Sequence, residues 1–314
     1  MKYYIGIDLG GTFIKGAVVS DSGEMLASDK IPTERALGPD KVIANIAGLS
    51  EKLLTLSGKT KADIVGIGIG VPGMIDGKRG VVVYSANFGW RNSNITEPLE
   101  KLTGLPVRIT NDANAAALGE TKFGVAKKYK NTLLLTLGTG VGGGAVIDGK
   151  LFEGNQGAGA EFGHSVIEFG GEPCACGRRG CLEAYASASA LIRNTKRAME
   201  ADKSSKLWQI GSIDKVSGKT AFDFYDVDES ARRVVESYIE KLACGIINFA
   251  NTLRPEAVIL GGGVCAQGEN LTRPLRKILE REIYAGKTGP EVELLIAELE
   301  NNAGSLGAAA LFMD

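Results

Sequence analysis

The sequence predicts an α/β protein made of two related halves. Strand-patterned and helix-patterned segments alternate along both halves of the 314-residue chain. The segment IGIDLGGTFIKGAVV at 5–19 returns as LLLTLGTGVGGGAVI at 133–147, a constant offset of 128 residues. That separation is too long for a solenoid repeat, and at ~150 residues per domain the length itself suggests about two domains.

Strands come first. YYIGIDL (3–9), TFIKGAVV (12–19) and EMLASDKI (24–31) are joined at Gly10-Gly11 and Asp21-Ser22-Gly23, both hairpin signals. Val42, Ile43, Ile46, Leu49, Leu53, Leu54 and Leu56 recur at mostly three- and four-residue spacing and predict a helix over about 40–57. ADIVGIGIGV (62–71) reads as a buried strand, with glycines where another backbone or a ligand comes close. PVRIT (106–110) is a further strand that runs through Asn111-Asp112 into the alanine-rich helix ANAAALGETKF. After the returning hairpin and residue 185 the pattern turns helical, most clearly over about 228–253. EAVILGGGV is a strand entering a glycine turn, VELLIA a last strand, and residues 304–312 a short closing helix.

Composition narrows the function. With 36 basic and 37 acidic residues the net charge is −1, so no global field draws nucleic acid or an anionic membrane. The longest apolar stretch, 64–75, is interrupted by glycine and falls far below the ~18 residues of a membrane span. Asp8 cuts short the apolar residues at 3–7 and leaves no signal-peptide core. A cytoplasmic protein, without membrane or nucleic-acid partners, is the expectation. The 43 glycines punctuate apolar runs without forming a repeat, which excludes collagen-like and low-complexity chains.

Five cysteines make an odd count, and three of them crowd into Cys174, Cys176 and Cys181. Such a cluster points to a metal and not to disulfides. The only histidine, His164, stands ten residues before Cys174, and Gly177 and Gly180 let the chain bend back. Three sulfurs and one imidazole fit a closed, structural, tetrahedral zinc site. A redox pair fits less well, because Cys-x-Cys lacks the usual helix-borne Cys-x-x-Cys arrangement.

Two tempting phosphate motifs fail on context. Residues 138–143 satisfy a dinucleotide-binding glycine pattern, and 144–150 resemble a P-loop. The first needs a helix to open at its glycines, yet AVI and the turn Asp148-Gly149 follow, which is a second strand. The second has Leu151 where Ser or Thr should meet Mg²⁺. Three glycine turns remain: Gly10-Gly11-Thr12, Gly138-Thr139-Gly140 and Gly261-Gly262-Gly263. Glycine permits positive φ and lets backbone N–H groups face a concavity that accepts anions. Each alone reads first as a plain hairpin or strand-end turn; the duplication raises the case for two turns gripping one polyphosphate. Asp8 would be buried in an apolar strand unless hydrogen-bonded or near a cation, and organising Mg²⁺-bound water is a task that fits it. Asp112, between a strand and a helix, reads either as an N-cap or as a functional carboxylate at a strand end facing a ligand crevice.

DLGGTFIKGAVV, TNDANAAALGE, LTLGTGVGGG and ILGGG, in that order, resemble the actin/hexokinase/Hsp70 superfamily of ATP-dependent phosphotransferases. GAGAEFGH followed by CACGRRGCLE is more specific and resembles the ROK family, close to its bacterial glucokinases. The resemblance covers essentially the whole chain. It implies two actin-like (ribonuclease H-like) domains about an interdomain cleft, with a boundary near residue 111. The C-terminal helix, about 303–314, would return to the first domain, and 112–302 would form a larger domain with a zinc loop at 164–181. It implies ATP-dependent phosphorylation of a hexose at its 6-hydroxyl, glucose foremost, by a homodimer. Kinases for N-acetylglucosamine, N-acetylmannosamine, mannose, allose and fructose belong to the same family. Carried onto these positions, it makes Asp112 the general base and places Asn111, Glu161, His164 and Glu183, with Gly73 and Asn87, on the sugar. On the nucleotide it nominates Asp8, Gly10, Gly11, Thr12, Lys15, Gly138, Thr139, Gly140, Gly261, Gly262 and Gly263. The cofactors implied are ATP, Mg²⁺ and structural zinc held by His164, Cys174, Cys176 and Cys181, in a loop that sets His164 and Glu183 against the sugar. Without the resemblance, Glu161 and Glu183 read as solvated loop charges and Lys15 as a solvent-facing strand residue. The family also contains sugar-responsive repressors. That reading calls for a DNA-binding extension, whereas the first core strand starts at Tyr3 with no basic helix before it.

Overall fold

The structure, a computed structural model, describes residues 1–313. It is an α/β fold with two five-stranded sheets. The first half contains β1 (Tyr3–Leu9), β2 (Phe13–Ser20), β3 (Met25–Pro32), α1 (Pro39–Ser57), β4 (Ile64–Val71), β5 (Met74–Asp76), β6 (Val81–Ser85), β7 (Trp90–Asn94), α2 (Thr96–Thr103), β8 (Val107–Asn111) and α3 (Asp112–Lys122). There follow β9 (Thr132–Leu137), β10 (Val141–Ile147), β11 (Lys150–Phe152), α4 (Glu183–Ala186), α5 (Ala188–Ala201), α6 (Thr220–Asp223) and α7 (Glu229–Leu253). The chain ends with β12 (Ala257–Gly261), α8 (Glu269–Glu282), β13 (Glu293–Ile296) and α9 (Ala303–Ala310).

The first sheet has the order β3-β2-β1-β4-β8 and the second β11-β10-β9-β12-β13. Ranked by position in the chain, the two orders are the same. In the first, β1–β2 and β2–β3 are antiparallel, whereas β1–β4 and β4–β8 are parallel. In the second, β10–β11 is antiparallel and β12–β13 parallel. The 128-residue offset carries β1 and β2 onto β9 and β10, so the sequence repeat is a repeated hairpin opening a repeated sheet.

The chain divides into two compact units. One comprises Met1–Leu134, Gly144–Ala160 and the segment from Ala297; the other comprises Leu135–Gly143 and Glu161–Ile296. In the first, Val42, Ile43, Ile46, Leu49 and Leu53 of α1 are buried with Ile5, Ile7, Leu9, Ile67 and Ile69 of the sheet, forming the main core. The close approach of α9 to this sheet explains two strand glycines: a Cβ at Gly6 would fall on the Ser305 carbonyl, and one at Gly68 on the Ala308 carbonyl. In the second unit α7, the long helix of the periodicity reading, buries Val235, Tyr238, Leu242, Ile246 and Ala250 along one face.

The sequence reading passes over the three-stranded sheet β5-β6-β7. Its strands are short, and WRNSN in β7 has no apolar alternation to detect. Its own buried side chains supply its order instead: Ile75, Val82 and Trp90, with Phe88 of the β6–β7 turn, belong to the main core, and the two aromatic rings lie 4.6 Å apart. Among the described residues, no helix is long and apolar enough to cross a membrane.

Candidate active site and metal centre

At the end of β8 the chain turns into α3 at Asn111-Asp112. Asn111 is the N-cap: its Oδ1 accepts from the Ala113 N–H at 2.8 Å and the Asn114 N–H at 3.2 Å. This corrects the capping alternative, which the sequence reading gave to Asp112. Asp112 is the first helical residue, and its Oδ1 also accepts from Ala113 N–H, at 2.9 Å. Asn111 Nδ2 donates to the Gly73 carbonyl at 2.9 Å, so two sugar-nominated positions meet. Gly73 has φ 127°, and a Cβ there would strike the Tyr84 carbonyl; no other residue fits. Asn87 lies exposed in the β6–β7 turn, its carbonyl accepting from Arg35 at 2.7 Å. One residue before Asn111, Thr110 Oγ1 donates to Glu153 Oε1 at 2.6 Å, a tie that no sequence signal marked.

The first glycine turn closes the β1–β2 hairpin. Gly10 N–H donates to the Phe13 carbonyl at 3.0 Å, and the buried Thr33 hydroxyl donates to the Gly10 carbonyl at 2.6 Å. Asp8 and Lys15 face each other across the hairpin, with Nζ 3.7 Å from Oδ2, so Lys15 is an ion-pair partner and not only a solvent-facing strand residue. Burial raises the Asp8 pKa above its ordinary value, and the lysine opposes that rise.

The second turn is held from outside the hairpin. Gly138 N–H donates to the Gly140 carbonyl at 3.0 Å, while Ala188 N–H donates to the Gly138 carbonyl at 2.8 Å. Glu183 Oε2 accepts from Val141 N–H at 3.0 Å, which replaces the solvated-charge alternative for Glu183. A Cβ at Gly140 would collide with this same carboxylate. The third turn ends β12: Gly261 is its last residue, and a short 3-10 helix, Gly263–Gln267, follows.

Positive φ is not the common reason for these glycines. Of those nominated in the three turns only Gly262 adopts it, at 90°. A Cβ at Gly10 would press on the Phe13 carbonyl and one at Gly140 would displace the Glu183 carboxylate, whereas a Cβ at Gly138 or Gly263 would meet nothing within 4 Å. The protein's own packing does not demand glycine at those two places, so open backbone is available there to a bulky anion.

The four metal-nominated residues converge. One ligand atom each from His164, Cys174, Cys176 and Cys181 lies within 4.8 Å of all the others. His164 Nδ1 is 3.7 Å from Cys174 Sγ, and Cys176 Sγ is 3.7 Å from Cys181 Sγ. Zinc–sulfur bonds of ~2.3 Å in a tetrahedron require donor separations of about 3.8 Å, so the donor set fits zinc. Burial pushes the Cys174 thiol up to about 12 and raises Cys181, whereas hydrogen bonding from the Arg178 backbone lowers Cys176. Ion pairs brace the loop: Arg197–Glu172 at 2.6 Å and Lys241–Glu168 at 2.6 Å. Cys174 Sγ donates to Glu183 Oε1 at 3.6 Å, linking the cluster to the carboxylate that holds the second turn. Glu161 is exposed, and its carbonyl accepts from His164 N–H at 3.0 Å.

Comparison with known proteins gives a consistent picture. The ROK family model matches residues 4–314. A glucokinase from Halalkalibacterium halodurans is 40% identical over 99% of this chain and 94% of its own length. Among solved structures, a ROK family glucokinase from Streptomyces griseus in complex with glucose and AMPPNP has a TM-score of 0.79 at 35% identity, covering 98% of both chains. A ROK hexokinase from Thermus thermophilus gives a TM-score of 0.82 at 33% identity, over 98% of this chain and 96% of that one.

Proposed function

This chain belongs to the ROK family, and on that premise we propose that it is an ATP-dependent sugar kinase that phosphorylates a hexose at its 6-hydroxyl, glucose foremost. The observation that carries this reading is the likeness, over 98% of both chains, to the Streptomyces griseus glucokinase bound to glucose and AMPPNP.

A sugar hydroxyl is a poor nucleophile at neutral pH. Asp112 takes its proton as the hydroxyl oxygen bonds to the γ-phosphorus and the bond to the β-phosphate bridging oxygen breaks, releasing ADP. Because Asn111 supplies the helix cap, the chain places a second side chain, a carboxyl, at the same helix end without sacrificing the cap. Asn111, Glu161, His164 and Glu183, with Gly73 and Asn87, receive the sugar. Its hydroxyls both donate and accept, and leaving one unpaired is costly. His164 turns its Nδ1 toward Cys174 Sγ at 3.7 Å, and the same imidazole is assigned to the sugar. His164, Cys174, Cys176 and Cys181 would hold a structural zinc.

The backbone turns at 10–12, 138–140 and 261–263 receive the triphosphate, with Asp8 and Lys15 beside the first. Mg²⁺, when bound, neutralises phosphate charge, and Asp8 would hold its water shell. A domain boundary near residue 111, a cleft that excludes water, a homodimeric assembly and the absence of a nucleic-acid partner belong to the same reading. The test is a coupled assay of ADP release with ATP, Mg²⁺ and a panel of hexoses. Glucose should give the highest kcat/KM. A preference for N-acetylmannosamine or another hexose would move the substrate within the family, and no ADP with any sugar would sink the reading.

A further inference from the structure

Resting on the kinase reading, we propose that Ser189 is a positioning residue for the triphosphate: it turns the amides of the 138–140 turn toward the nucleotide. Ser189 stands in the first turn of α5, and its Oγ donates to the Thr139 carbonyl at 2.7 Å. One residue earlier, Ala188 N–H donates to the Gly138 carbonyl at 2.8 Å. Two consecutive carbonyls of the turn are thus drawn to the start of one helix.

Peptide units are planar and trans, so each N–H points opposite to the carbonyl of its own unit. Holding the Gly138 carbonyl against α5 directs the Thr139 N–H away from it. Holding the Thr139 carbonyl directs the Gly140 N–H the same way. Two successive amides then face one side, the arrangement that accepts anionic oxygens. Thr139 is exposed, and no Cβ contact closes the space at Gly138. Glu183 pins the far end of the turn through Val141 N–H at 3.0 Å. The first hairpin has the same device by another route, because Thr33 Oγ1 draws the Gly10 carbonyl back from the turn at 2.6 Å. Ser189 does not touch the substrate in this account; it fixes the direction of groups that do.

The experiment compares steady-state kinetics and thermal unfolding of the wild type, Ser189→Ala and Ser189→Thr, with calorimetric titration of ATP alone. Ser189→Ala should raise KM for ATP and weaken ATP binding about fivefold, the scale of one neutral hydrogen bond. KM for the sugar and the unfolding temperature should hold, and Ser189→Thr, which keeps the hydroxyl, should restore ATP affinity. Equal ATP affinity in Ser189→Ala and wild type would overturn the proposal. So would parallel losses in both KM values with a lower unfolding temperature, or a failure of threonine to rescue. A wild type that binds ATP but phosphorylates no hexose would sink the kinase reading alone; the titrations would still decide the role of Ser189.

Discussion

At the first hairpin the Gly10 carbonyl is held by the Thr33 hydroxyl; at the second, the Gly138 and Thr139 carbonyls are held by Ala188 N–H and Ser189 Oγ. The 128-residue offset that superposes these turns also matches Asp8 with Thr136 and Lys15 with Gly143. The ion pair of the first copy therefore has no counterpart in the second. The sheets end differently too: β8 runs into Asn111-Asp112, whereas Ala297 follows β13. Duplication has kept the backbone device in both copies and left the Asp8–Lys15 pair and Asp112 in one. A proton transfer needs one acceptor, so on the proposed reading a single acid at the end of one sheet is enough.

The most direct way to break this comparison is to neutralise the acid at the end of the first sheet. Asp112→Asn should lower kcat by ~10³, within the range usual for removing a general base, with KM for the sugar within about twofold. Asparagine keeps the shape at the helix start, and the cap is untouched because Asn111 provides it. A variant with near-normal kcat would show that the asymmetry of the two sheets has nothing to do with catalysis.

Metal removal separates the copies by a different property. The second turn is tied to the cysteine cluster through Glu183, which accepts from Val141 N–H at 3.0 Å and from Cys174 Sγ at 3.6 Å. The ties of the first turn run to Phe13 and Thr33 instead. Chelation, or Cys176→Ser at the exposed ligand, should raise KM for the sugar about tenfold and speed amide exchange at 138–141. Exchange around residues 10–13 should stay as it was. Equal acceleration at both turns would mean that the cluster supports general stability and not the second turn in particular.

Much of this was legible before any coordinates. The repeated hairpin showed itself because Leu9-Gly10 and Leu137-Gly138 share both chemistry and spacing, and the candidate metal cluster because thiols and the single imidazole are rare enough to be noticed when they crowd. What stayed hidden was relational. Which of two adjacent polar residues caps α3 depends on a backbone angle: Asn111 is extended at ψ 150° while Asp112 is already helical, and either side chain is a good cap by type. Ser189 and Thr33 are ordinary hydroxyl residues whose partners lie 50 and 23 positions away, so no local pattern marks them. A serine entering a helix from a small-residue run, ASAS at 186–189, was the one available hint, and it reads first as a cap. Positive φ, the property that draws attention to glycine turns, is adopted at Gly262 alone among the glycines nominated in the three turns, while a Cβ at Gly10 would press on the Phe13 carbonyl.

The smallest effect concerns the ion pair itself. Burial lifts the Asp8 pKa above its ordinary 3.8, with Lys15 pulling against the rise. Between the unfolded and folded values the native state holds a proton that the unfolded chain has released. Stability therefore falls as pH rises through that window and remains lower above it. Asp8→Asn cannot ionise, so without nucleotide it should unfold about 1 to 2 °C higher than the wild type at neutral pH. The gain should disappear as pH drops below about 4, where Asp8 is protonated in both states. Thr136→Asn, at the matching place in the second copy, starts from a neutral residue and should show no such pH-dependent difference. Melting curves of the two variants across pH 3 to 8 decide the matter. If Asp8→Asn were less stable at neutral pH, the lysine's attraction would outweigh the cost of burial, and the pair would hold the hairpin together.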